Sequence, residues 1–126
     1  MIYIVSVEDY FSSAHQLRGY KGKCENMHGH NWRVVLKVKG DKLNDIGILI
    51  DFHDLKDILK SILKELDHKN LNEMLFFSKI NPSSEIISGY IAEMVDKKLN
   101  ELNYKEIIID SVTVWESSTS SCTYKP

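Results

Sequence analysis

A chain of 126 residues, 43% apolar and 27% charged, has the balance of an ordinary globular protein and excludes a disordered or fibrous one. A formal charge of −2, with lysines scattered among Asp and Glu, provides no field for a polyanion, so no nucleic acid partner is expected. No apolar run approaches the roughly 18 residues of a membrane helix, no basic signal region precedes the start, and there are only two cysteines, at positions 24 and 122. The expectation is one domain over 1–126, in a cytoplasmic setting that keeps thiols reduced, with no membrane contact.

Residues 1–11 and 31–40 are rich in Val, Ile, Tyr and Trp, and NWRVVLKVKG alternates apolar with polar side chains. Both read as antiparallel strands with one wet face. Between them, GYKGKCENMHGH is a Gly-rich polar loop that opens into the second strand. Over 51–66 the apolar residues Leu55, Ile58, Leu59, Ile62, Leu63 and Leu66 form a stripe of helical period, with Asp51 and Asp54 at its positive end. A second helix is expected from Asn81 as N-cap and Pro82 in the first helical position, its stripe running through Ile86, Ile87, Tyr90, Ile91, Met94, Val95 and Leu99. EIIIDSVTVWE then returns to strand character, and SSTSS separates it from a short terminal strand, CTYKP. The order β-β-α-α-β-β predicts an α+β fold, a four-stranded antiparallel sheet with both helices on one face.

Chemistry gathers in the loop and at the element ends. Side chains alternate along a strand, so His28 and His30 project to one side and can share a metal. His15 lies at the end of the first strand region, where an antiparallel partner can bring it beside them. Three imidazoles suit Zn²⁺ and leave a fourth position open, as in catalytic sites. The bland alternative is that the histidines bond loop carbonyls. Cys24 reads either as a small buried apolar residue or as a thiol activated by a neighbouring cation. His68 either meets the negative end of the helix dipole or is oriented by Asp67 as a proton shuttle. Glu116 ends a strand face formed by Ile108, Val112 and Val114; it is either simply solvated or accepts two hydrogen bonds from a planar amidine-like edge. Neither a Gly-rich phosphate loop nor a dinucleotide fingerprint is present, so no redox cofactor is expected.

Taken together, FSSAH ending at His15, CENMHGH from Cys24 to His30, IDFHDLK from Ile50, LDHKNLN around Asp67 and His68, NPSSE from Asn81 and VWES around Glu116 resemble the 6-pyruvoyltetrahydropterin synthase family over nearly the whole chain. The three residues between Cys24 and His28, and the ending SSCTYKP, are similar to the bacterial 6-carboxy-5,6,7,8-tetrahydropterin synthases of queuosine biosynthesis. The resemblance implies the tunnelling fold, assembled as a homo-oligomeric ring, a hexamer of two trimers. It implies zinc on His15, His28 and His30, a catalytic triad of Cys24, Asp67 and His68 drawn from different subunits, and a pterin anchored by Glu116. The implied reaction converts 7,8-dihydroneopterin triphosphate to 6-carboxy-5,6,7,8-tetrahydropterin with loss of triphosphate and acetaldehyde. Glu25, directly after Cys24, keeps a folate-pathway side-chain cleavage open beside the pyruvoyl product. A non-catalytic pterin-binding or zinc-stabilised interaction module is the reading of another class.

Overall fold

The two longest strands share a core because their apolar side chains alternate in phase. In the computed structural model, which describes residues 1–20 and 26–126, β1 (Tyr3–His15) and β2 (His28–Gly40) pair antiparallel over their full length, from Tyr3 opposite Gly40 to His15 opposite His28. Val7, Phe11, Ser13 and His15 of β1 and Trp32, Val34, Leu36 and Val38 of β2 point inward and are buried. The opposite face carries Glu8, Tyr10, Asn31, Arg33 and Lys37.

Helix α1 (Phe52–Leu66) starts where Asp51 accepts the His53 backbone N–H at 2.7 Å, and it buries the whole expected stripe over β1. Helix α2 (Ser84–Glu101) lies on the same side, over β4 (Ile108–Ser117) and β5 (Ser120–Tyr124). Its N-cap is Ser83, whose Oγ accepts the Ile86 N–H at 3.2 Å; Asn81 does not cap it, because its amide is bound elsewhere. The helices and the inward sheet face enclose one apolar core. None of the described helices is long and apolar enough to cross a membrane.

The sheet differs from the expected one in two ways. It has a fifth strand, β3 (Lys69–Asn70), which runs parallel to β1 at Ser13 and Ala14, so the sheet is mixed and its order is β3-β1-β2-β4-β5. Two residues are too few to show any periodicity, and their pairing depends on α1 ending beside β1. The second difference is a bulge in β4: Lys37 pairs with Ser111 but Val38 pairs with Ile109, so Asp110 is extra. One inserted residue flips the alternation. Ile109 therefore joins Val112 and Val114 in the core, and Ile108, expected on that face, is exposed.

Candidate functional site

His15, His28 and His30 meet because of the β1–β2 register. His15 stands directly opposite His28, and Ser13 opposite His30, so the three imidazoles project from neighbouring positions on the inward face. Trp32 is fully buried beneath them, with edge contacts to the rings of His15 and His30 at centroid distances of 4.8 and 5.2 Å. Glu116 reaches the same point from β4. The β4–β5 pairing goes from Trp115 opposite Ser121 to Ser117 opposite Ser120, leaving Glu116 as the unpaired residue of a bulge. Its Oε1 lies 3.1 Å from His15 Nε2, 3.8 Å from His28 Nε2 and 2.9 Å from His30 Nε2.

Protonation explains why these groups call for a cation. His15 Nδ1 donates to the Pro82 carbonyl at 2.7 Å, and His28 Nδ1 donates to the Asn26 carbonyl at 2.8 Å. A neutral imidazole that donates from Nδ1 presents only a lone pair at Nε2. With both rings neutral, their Nε2 lone pairs face a carboxylate oxygen, an arrangement that a shared cation relieves. His30 Nε2 is buried and makes no hydrogen bond among the described residues, despite its closeness to Glu116. The ligand atoms of the four residues all lie within 4.8 Å of one another. Imidazoles pinned at one nitrogen by backbone carbonyls, with the other nitrogen facing a common point, are the pattern of metal ligands held by their surroundings. The three imidazole nitrogens fit a divalent ion of borderline softness, with the Glu116 carboxylate close beside it.

Burial lowers the pKa of His30, helped by His28 and His15 and opposed by the Glu116 carboxylate. A histidine whose folded pKa is lowered adds stability that is present above the ordinary imidazole range and lost as pH falls through it, since the unfolded chain then binds more protons. Protons also compete with the metal for the same lone pairs. Metal retention is therefore expected to fall between about pH 7 and pH 5. Dialysis of metal-loaded protein at stepped pH, followed by metal analysis, checks this.

A second pair lies apart from the first. Asp67 ends α1, its Oδ1 accepts the Ser12 N–H at 2.8 Å, and its Oδ2 accepts from His68 Nδ1 at 2.8 Å. The Ser12 N–H, then the His68 imidazole, lower the Asp67 pKa, so the carboxylate stays ionised and fixes the His68 tautomer. His68 donates its own N–H to the Ser12 carbonyl at 2.6 Å and holds φ at 55°, a left-handed conformation disfavoured by its β-carbon. Its side chain is 81% exposed. Asp67 and His68 do not belong to the group that converges on Glu116. Cys24 and Glu25 lie outside the described residues.

Sequence reading missed the Pro82 carbonyl that fixes His15, because NPSSE reads as a helix start and a backbone acceptor leaves no mark in composition. A cavity of about 410 Å³ between α2 and the β4–β5 hairpin, lined by Lys39, Glu93, Asp96 and Tyr124 among others, shares no residue with the site.

The fold and the site together define an α+β protein with a three-histidine, one-carboxylate centre at one end of its sheet. The family described as 6-pyruvoyl tetrahydropterin synthase matches residues 4–126, and the chain belongs to it, a family of pterin synthase lyases. The chain is 31% identical to the 6-carboxy-5,6,7,8-tetrahydropterin synthase of Haemophilus influenzae, over 96% of this chain and 97% of that one. It is 32% identical to the 6-pyruvoyl tetrahydrobiopterin synthase of Dictyostelium discoideum, over 86% of this chain and 89% of that one. The solved 6-pyruvoyl tetrahydropterin synthase of Caenorhabditis elegans superposes with a TM-score of 0.85 at 29% identity, covering 100% of this chain and 96% of that chain.

Proposed function

We propose that the protein is a zinc-dependent lyase that converts 7,8-dihydroneopterin triphosphate and one water to 6-carboxy-5,6,7,8-tetrahydropterin, triphosphate and acetaldehyde, in queuosine biosynthesis. The observation that carries this reading is the convergence of the His15, His28 and His30 imidazoles, two of them pinned at Nδ1, in a chain of this family. These three side chains are the proposed zinc ligands. Bound there, zinc would polarise a side-chain oxygen of the substrate and acidify the adjoining C–H.

The chain's own groups supply the rest. Cys24 is the proposed base that takes that proton as a thiolate. Asp67 holds His68 in the tautomer with Nδ1 protonated, so that its exposed Nε2 can take up and return a proton. Glu116 is the proposed anchor for the amidine-like edge of the pterin, accepting hydrogen bonds beside the metal. Two features support a homo-oligomer that shares its site between copies: the exposure of His68, and the edge of β1, covered by β3 only at Ser13 and Ala14. A hexamer of two trimers in the cytoplasm completes the proposal.

Incubating zinc-loaded protein with 7,8-dihydroneopterin triphosphate and identifying the product by mass spectrometry tests it. The 6-carboxy compound is expected. The 6-pyruvoyl or 6-hydroxymethyl compound alone would reject the choice of product and keep a lyase on this substrate; no consumption of any reduced pterin would leave a binding module.

A further inference from the structure

Beyond His15 the chain leaves its strand ladder, yet the next residues are held as if a strand still ran beside them. The Asn72 amide accepts the Gln16 N–H at 2.8 Å and donates to the Gln16 carbonyl at 2.9 Å. Two residues on, the Asn81 amide does the same for Arg18, accepting its N–H and donating to its carbonyl, both at 2.9 Å. Each side chain thus replaces one rung of an antiparallel pair. Of the two, only the second reaches further. The Arg18 guanidinium donates from Nε to the same Asn81 oxygen at 3.2 Å, from Nη1 to the Ser78 carbonyl at 2.8 Å, and from Nη2 to the carbonyls of Ile80, at 3.0 Å, and Phe77. Three carbonyls of one turn are therefore gathered by one rigid fork.

That turn ends at Pro82, joined to Asn81 by a peptide bond, and the Pro82 carbonyl is the acceptor for His15 Nδ1. His15 is only 2% exposed, so no water replaces that acceptor if it moves. The helix behind the turn does not require the fork, because Ser83 already caps it.

We propose that Arg18 and Asn81 are positioning residues for His15. By fixing the 77–82 turn they hold the Pro82 carbonyl where it keeps the proton on Nδ1, and so leave the Nε2 lone pair facing the shared centre. The inference rests on the proposed metal site only for its second readout, and Asn72 supplies the contrast: it clamps the chain as close to His15, but among the described residues its amide makes no hydrogen bond to the 77–82 turn.

The experiment uses the full-length protein with ¹⁵N-labelled histidine, metal-free, at a pH above the ordinary imidazole range, in the parent and in the Arg18→Lys, Asn81→Ala and Asn72→Ala variants. Ring-nitrogen NMR reads the tautomer of His15, and zinc titration of the same samples reads affinity. The parent and Asn72→Ala are expected to carry the proton on Nδ1. Arg18→Lys and Asn81→Ala are expected to keep the fold by circular dichroism, show His15 averaged between tautomers, and bind zinc about 10- to 100-fold more weakly. An unchanged His15 signal in both folded variants would overturn the proposal, as would an equal change in Asn72→Ala. A parent that holds Nδ1–H but takes up no zinc would reject the metal site, while the ring signals alone decide the positioning role.

Discussion

Replacing His15 with alanine is expected to reduce zinc from about one equivalent per chain to nearly none and to lower the stability of the metal-free protein by about 1–3 kcal/mol. The two effects have different origins. Metal is lost because the two remaining imidazoles keep it poorly once the ligand with the most rigid support is gone. Stability is lost because the Pro82 carbonyl, buried against the ring, loses its side-chain donor. His28→Ala separates these origins. The His28 side chain is 37% exposed, so its removal should cost the metal as fully but change metal-free stability by less than about 1 kcal/mol. Metal analysis and urea unfolding of the two variants check both halves.

Replacing His68 with glycine is expected to reduce turnover by about 10²- to 10⁴-fold while leaving zinc content untouched. Stability should stay level or rise by up to about 1.5 kcal/mol. Relief of a left-handed residue contributes about 1–2 kcal/mol, and the greater freedom of glycine in the unfolded chain offsets about 0.5–1 kcal/mol of it. The pair with Asp67 is too exposed to alter that balance. Asp67→Asn gives the complementary result. Its amide oxygen can still accept the Ser12 N–H, but its NH₂ would face His68 Nδ1 and force the proton onto Nε2, so turnover falls while the backbone stays in place. Steady-state rates, metal content and thermal unfolding of the two variants check these outcomes.

Much of this site was legible because strand periodicity is a strict rule. His28 and His30, two apart ahead of an alternating apolar run, share a face, and antiparallel pairing of two flanking strands can bring His15 to them, as the register does. Glu116 reaches the same centre, although the strand face on which alternation places it includes Ile108, which the bulge at Asp110 turns outward. Bulges and two-residue strands arise from how separate segments meet, and a single-sequence pattern does not carry that information. Asn81 shows the same limit. Next to a proline ahead of an apolar stripe it has every mark of an N-cap, and only the arrival of Arg18 from the end of β1 diverts its amide and leaves the cap to Ser83. The Asp67–His68 pair was visible as a dipeptide, but its tautomer and its left-handed backbone depend on Ser12, more than fifty positions away in the chain.

X-ray absorption at the zinc edge of the metal-loaded protein tests most directly the claim that His15, His28 and His30 hold the metal and that Cys24 is left free to act as a base. Only nitrogen and oxygen neighbours at about 2.0–2.2 Å, with the outer-shell signature of imidazole rings, are predicted. A sulfur neighbour at about 2.3 Å would place the thiol on the metal and contradict the account.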